Sequence, residues 1–322
     1  LSFPKRENSC MNYPEKIIIS EVGPRDGLQS IDTIMSTEHK LEWIRSEFEA
    51  GITEIEVGSF VPKSILPQMA DAYEVVRKAK KIDGLTVVAL VPNFIGAKNA
   101  IEAGADKICL PLSVSETHSK ANLNKTHDQV LDEIRNIALY LSEIEGEKPD
   151  FEGNLSTAFG CTLEGAVSES IVLRLGSRMM ELGCQEIGLS DTTGYANPMQ
   201  IKKMIRSLKK EVGNENLNSV HLHNTRGLGL ANVLAAMEEG ITTIDSSLGG
   251  IGGCPFAPGA SGNIVTEDLV FMLDSMGIET GVDINALLAV TEKVQSFIPN
   301  ESVYGFTKDS GLPKGYSKGW GI

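Results

Sequence analysis

The sequence predicts one α/β domain, a (β/α)8 TIM barrel with extra helices after its last strand. Short β-branched apolar segments recur eight times, and longer amphipathic stretches separate them. No low-complexity tract or Pro/Ser-rich linker divides the 322 residues. Alternating strands and helices imply parallel strands joined by crossover helices. Eight such units over roughly 250 residues suit a closed barrel better than an open doubly wound sheet.

Strands are expected, in order, near Ile17–Val22, Ile52–Gly58, Leu85–Val91, Lys107–Leu112, Gly153–Ala158, Glu186–Ser190, Ser219–His223 and Ile241–Ser246. The clearest helical patterns between them are Thr37–Ala50, Leu66–Lys81, Thr126–Ile144, Thr162–Leu182, Pro198–Glu211 and Leu228–Glu239. Gly51, Gly104, Gly183 and Gly240 each stand where a helix ends before a strand, a place that favours the left-handed backbone. Two more helical patterns, Thr266–Met276 and Ile284–Phe297, follow the eighth strand. The expected organisation is an N-terminal tail over 1–16, a barrel domain over 17–300 that includes the C-terminal helices, and an irregular tail over 301–322.

Acidic residues outnumber basic ones by 43 to 29, a formal net charge of −14. That argues against a nucleic-acid or anionic-membrane binder, which needs a cationic face. It leaves room for an anionic small molecule, which needs only a local pocket. No apolar run reaches the roughly 18–20 residues of a membrane helix. Leu1–Cys10 is polar, without the apolar centre of a signal peptide, and Met11 is a candidate start. The five cysteines are scattered, with no C-x-x-C pair, as expected of reduced thiols. A cytoplasmic protein is expected; a cleaved organellar presequence is left open.

In such a barrel, reactive side chains project from the C-terminal ends of the strands. His221-Leu222-His223 ends strand seven, and residues i and i+2 of a strand share a face, so two imidazoles converge. Neutral, such a pair suits a divalent metal. After strand one, Glu21-Val22-Gly23-Pro24-Arg25-Asp26-Gly27-Leu28-Gln29 sets an acid beside a guanidinium. Asp26 can offer oxygen to a metal and Arg25 can hold a developing oxyanion; the bland alternative is a turn. After strand eight, Gly249–Asn263 is rich in glycine and carries Cys254, a fair acid, base or nucleophile in a polar loop. It has neither G-x-G-x-x-G nor the ending of a phosphate loop. Glu54 and Glu56 share one face of strand two, so one of them is expected to point inward. Asp191 ends strand six, as an acid of the site or as the N-cap of the next helix. Ser113–Asn124 reads as a polar loop on the substrate side.

Together, Glu21–Gln29, His221–His223 and the loop from Gly252 through Cys254 to Asn263 resemble the 3-hydroxy-3-methylglutaryl-CoA lyase family. This family belongs to a superfamily of metal-dependent TIM-barrel lyases and Claisen-condensing synthases. The resemblance runs from about Ile17 to Phe297. It implies a retro-Claisen cleavage of a 3-hydroxyacyl-CoA to acetyl-CoA and acetoacetate. It further implies Asp26, His221, His223 and Asn263 as ligands of Mg²⁺ or Mn²⁺, Arg25 as the group facing the enolate oxygen, and Cys254 as the proton donor. Glu56 and Asp191 match acidic positions, Gln29 a substrate-side position, and the family implies a homodimer.

Three departures flank the site. Gln29 is followed by Ser30-Ile31 where the family has Asn-Glu. Val61-Pro62-Lys63-Ser64-Ile65 lacks the family's Trp. Asn224-Thr225-Arg226 replaces Asp-Thr-Tyr. The extra cation at Arg226 and the changed strand-two loop suit another short hydroxyacyl-CoA, so citramalyl-CoA is the alternative substrate. Further readings are a Claisen-condensing synthase, opposed by the Cys loop and the short tail, and a non-catalytic barrel. A metal hydrolase with His-x-His on its first strand is disfavoured because this pair follows strand seven.

Overall fold

The computed structural model describes residues 13–252 and 262–319. Eight strands form one closed barrel in sequence order: β1 (Ile18–Glu21), β2 (Glu54–Ser59), β3 (Thr86–Leu90), β4 (Lys107–Ser113), β5 (Asp150–Ser156), β6 (Glu186–Asp191), β7 (Ser219–Leu222) and β8 (Thr243–Ser246). All neighbours are parallel, and β1 closes on β8 from Ile18 opposite Thr243 to Glu21 opposite Ser246. The predicted fold class is therefore observed.

The wall is built of α1 (Thr37–Glu49), α2 (Ala72–Ala79), α3 (Phe94–Ala103), α4 (Glu116–Leu123), α5 (His127–Glu143), α6 (Glu169–Leu182), α7 (Pro198–Val212) and α8 (Gly229–Met237). After β8 come α9 (Thr266–Ser275), α10 (Ile284–Phe297) and α11 (Phe306–Ser310). Gly104 and Gly183 end α3 and α6 with φ of 97° and 113°, a backbone that side chains with a Cβ resist. The apolar face of each helix packs on the outward face of the strands. Trp43 of α1, wholly buried, and Phe151 of β5 belong to that layer. No helix among the described residues is long and apolar enough to cross a membrane.

Local capping explains where the elements depart from expectation. Ser113–Asn124, read as a loop, contains α4, because the Ser115 hydroxyl accepts from the His118 N–H and Asn124 takes the left-handed cap at φ 53°. The helix expected from Thr162 starts only at Glu169; Cys161 and Gly165 pair through two backbone hydrogen bonds and close a turn before it. Leu66–Lys81 divides into a short 3₁₀ turn (Pro67–Met69) and α2. Not singled out in the sequence, α3 starts where the Asn93 side chain accepts from the Gly96 N–H. The C-terminal tail is not wholly irregular: Thr307 of α11 donates its N–H to Asp268 on α9 at 2.7 Å.

Candidate active site

A cavity of about 570 Å³ occupies the C-terminal mouth of the barrel and continues down between the strands. Arg25, Asp26, Gln29, Glu56, His221 and His223 all line it. The chain turns at the end of β1 in a single π-helical turn, Gly23–Gly27, which directs Arg25 and Asp26 inward. Arg25 is 8% exposed. Its Nε donates to Glu56 Oε2 at 2.5 Å and its Nη1 to Asp26 Oδ1 at 2.6 Å. Asp26 Oδ1 also accepts from the Gln29 amide at 2.8 Å, and Asp26 Oδ2 accepts from the Asn263 amide at 2.7 Å.

The two imidazoles meet as the i, i+2 argument requires: His221 Nε2 and His223 Nε2 face each other at 3.0 Å. Strand β7 ends at Leu222, one residue short of expectation, because His223 leaves it to bridge Asn263 in the antiparallel sense. That bridge brings the last residue of the glycine-rich loop to the strand-seven histidines. His221 Nδ1 lies 3.0 Å from Asp245 Oδ2 on β8, its register partner.

Electrostatics sort these groups. Burial opposes charge on every one of them. For Asp26 the Arg25 guanidinium and the imidazoles outweigh burial and hold the carboxyl well below the usual range. Burial and His221 push His223 down to about 3, so it is a neutral imidazole. Burial lowers His221, but Asp245 reverses the direction and raises it. Burial pushes Glu56 up to about 7, against the pull of Arg25.

The donor set fits a divalent cation. One ligand atom each from Asp26, His221 and His223 lies within 4.8 Å of the others. Asn263 Oδ1 is buried without a hydrogen-bond partner. Turned over, that amide would present its oxygen beside Asp26 Oδ2, where it could serve as a further donor to a cation. Two imidazole nitrogens and a carboxylate oxygen are donors that a divalent cation takes.

Other expected residues lie elsewhere. Asp191 does not line the cavity: its two oxygens accept the N–H groups of Tyr195 at 2.9 Å and Ala196 at 3.0 Å. It shapes the turn after β6, while the N-cap of α7 is Asn197. Arg226 is not the extra cation of the pocket either. Its guanidinium lies over the Tyr195 ring at 4.6 Å and donates to the carbonyls of Thr193 and Gly194. Cys254 lies outside the described residues. Both Glu54 and Glu56 line the cavity, as their shared face demands, where one was expected.

Several lining residues were missed in the sequence. Asp245, which orients His221, stands second from the end of β8. On β4, Lys107, Cys109 and Pro111 face the cavity while Ile108 and Leu110 are wholly buried. The strand itself is legible in the sequence, but which of its alternating faces meets the cavity is not. On β4 of this barrel the apolar half faces the helices and the other half faces the cavity. Lys107 pairs with Glu152 of β5 at 2.7 Å and with Glu186 of β6 at 3.6 Å.

Comparison with known proteins agrees with this geometry. The HMGL-like family model matches residues 16–294. A hydroxymethylglutaryl-CoA lyase of Bacillus subtilis is 39% identical over 92% of this chain and 99% of its own length. A cytoplasmic 3-hydroxy-3-methylglutaryl-CoA lyase of Rattus norvegicus is 40% identical over 88% of this chain and 82% of its own. Among solved structures, an HMG-CoA lyase from Acinetobacter baumannii, in complex with coenzyme A and 3-methylmalate, superposes with a TM-score of 0.88. It is 39% identical and covers 94% of this chain and 97% of its own. The chain thus shares with these lyases both its barrel and nearly its whole length, and it belongs to the HMGL-like family.

Proposed function

We propose that this chain is a divalent-metal-dependent carbon–carbon lyase that cleaves 3-hydroxy-3-methylglutaryl-CoA to acetyl-CoA and acetoacetate. The observation that carries the reading is the convergence of Asp26, His221 and His223 beside a buried, forked Arg25 in one cavity. It is found in a chain 39% identical to a lyase over 92% of its length. The lyase unit in this reading spans 17–300 and by the family resemblance forms a homodimer; its scattered cysteines suit a reducing, cytoplasmic compartment.

Asp26, His221, His223 and Asn263 would hold Mg²⁺ or Mn²⁺, which when bound polarises hydroxyl and carbonyl oxygens of the substrate. The substrate hydroxyl gives up its proton to a carboxylate of the site. Glu56, pushed up to about 7, is better matched to that task near neutral pH than the firmly ionised Asp26. The oxygen lone pair then forms the carbonyl of acetoacetate, and the electrons of the broken carbon–carbon bond pass to the acetyl-CoA enolate. Arg25, fixed by Glu56 and Asp26, stabilises the enolate oxygen without having to reorganise. Cys254 returns a proton to the enolate carbon. Gln29 steadies Asp26 and faces the substrate, and Asp191 acts through the turn after β6.

The test is acetyl-CoA release from 3-hydroxy-3-methylglutaryl-CoA by purified protein with Mg²⁺ or Mn²⁺, alongside citramalyl-CoA. Cleavage of the first that EDTA abolishes and Cys254→Ala suppresses is the expected result. Cleavage of citramalyl-CoA alone would keep the mechanism and change the acyl group. No cleavage of either by metal-loaded protein would overturn the reading in favour of a non-catalytic barrel.

A further inference from the structure

The first residue of the β1 motif, Glu21, has no part in the site as described, yet it is completely buried. Ser20 and Val22 on either side of it line the cavity, so strand alternation turns Glu21 to the outside of the barrel wall. There its carboxylate collects donors from three separate segments. Oε1 accepts the N–H of Gly23 at 2.8 Å and the N–H of Leu248 at 2.9 Å; Oε2 accepts the Thr266 hydroxyl at 2.6 Å.

Each segment leads to a residue of the site. Gly23 opens the turn that carries Arg25 and Asp26. Leu248 opens the turn after β8 that leads to Gly252. Thr266 stands three residues beyond Asn263, where α9 begins. The surrounding backbone repeats the same joints: Val22 N–H to the Ser246 carbonyl at 2.8 Å, Ser247 N–H to Ile264 at 2.8 Å, and Thr266 N–H to Ser247 at 3.1 Å. The fit is close, since a Cβ on Gly23 would lie 2.5 Å from Glu21 Oε1 and 2.8 Å from the Trp43 ring.

We infer that Glu21 is a positioning residue, a three-way clamp that sets the Arg25–Asp26 turn in register with the two chain segments leading into and out of the Gly252–Asn263 loop. Asp26 and Asn263 come from opposite ends of the chain, and the Glu21 joint, together with the backbone bonds beside it, holds their separation independently of what binds between them. Glu21 touches no substrate. It acts through Asp26, Arg25 and Asn263.

The inference rests on the metal reading of Asp26, His221, His223 and Asn263, and its test reads metal binding directly. Mn²⁺ affinity is measured by electron paramagnetic resonance on the wild type, Glu21→Ala, Glu21→Gln and Thr266→Val, with circular dichroism as the check on folding. Groups that orient metal ligands typically cost about 10- to 100-fold in affinity when removed, and that loss is expected for Glu21→Ala. Glu21→Gln should stay within a few-fold of wild type, because its amide oxygen accepts both N–H donors and its NH₂ donates to Thr266 Oγ1. Thr266→Val, which keeps shape and removes one arm, should fall between them and serves if Glu21→Ala does not fold. Kinetically, kcat should fall while KM moves little.

Two results would overturn the clamp. One is wild-type Mn²⁺ affinity in folded Glu21→Ala or, where that variant does not fold, in Thr266→Val. The other is an equal loss in Asp274→Ala, a control at another buried acid, whose side-chain partner is Thr280 and which lies outside these three joints. Wild-type protein that binds no Mn²⁺ would remove the metal reading first and the clamp with it.

Discussion

Replacing Glu267 by Gln should flatten the decline of this protein's stability with rising pH. Glu267 opens the first turn of α9 with no exposed surface. It accepts the Gly249 N–H at 3.0 Å and the Thr291 hydroxyl at 2.6 Å. Burial pushes its carboxyl up from 4.5 to about 7. Geometry supports the neutral form, because Thr291 Oγ1 also lies 3.1 Å from the Leu287 carbonyl. With its own proton turned to that carbonyl, the Thr291 hydroxyl can accept from a protonated Glu267.

A native pKa raised above the unfolded value means that the folded protein keeps a proton the unfolded chain has lost. The stabilisation is complete below about pH 4.5 and is lost as pH rises through about 7. At about 1.4 kcal/mol per tenfold change in proton concentration, the interval is worth about 3 kcal/mol. The amide introduced by Glu267→Gln keeps the same partners and does not titrate. Urea unfolding followed by tryptophan fluorescence, from about pH 5 to about pH 8 at constant ionic strength, gives both curves. Groups remote from Glu267 cancel in the difference; the buried Glu21 and Glu47, which its charge raises, titrate lower without it and add in the same direction. The difference should grow by at least about 2–3 kcal/mol in favour of Glu267→Gln. Parallel curves would refute the reasoning.

Arg25→Lys removes the fork that joins Glu56 to Asp26. A lysine cannot hold both, and kcat/KM should drop by ~10²–10³ with the circular dichroism spectrum unchanged. Asp245→Asn weakens the support of His221 Nδ1; calorimetry should show Mn²⁺ binding weakened by about 10-fold or more. Lys107→Met leaves the buried Glu152 without its cation and should cost about 3–5 kcal/mol in chemical denaturation. The pair Lys107→Met with Glu152→Gln should recover much of that loss.

What could be read from the sequence alone was what depends on residues close together in the chain. Period-two and period-3.6 patterns placed eight strands and most helices, because each pattern records which face meets the core. His221 and His223 could be paired on paper because a strand turns every second side chain the same way. Arg25 and Asp26 followed from their place just after a strand, and the loop of Cys254 and Asn263 from its glycines, although Cys254 itself lies outside the described residues.

Tertiary structure decided the rest. Asp26 and Asn263 hydrogen-bond across 237 positions, and no local period reports a contact made only when β1 closes on β8. Pairing of β7 with β8 gave Asp245 to His221, and the closure gave Glu21 the two donors that its own turn does not supply. It also settled which half of each alternating strand faces the cavity, and so revealed Lys107 and Glu152 inside. Asp191 and Arg226 lie near the site in sequence, yet their polar atoms are engaged by neighbouring backbone. A side chain's neighbours along the chain show what it can reach, but folded packing determines which partner it meets, because a buried polar group needs a partner and takes the nearest one.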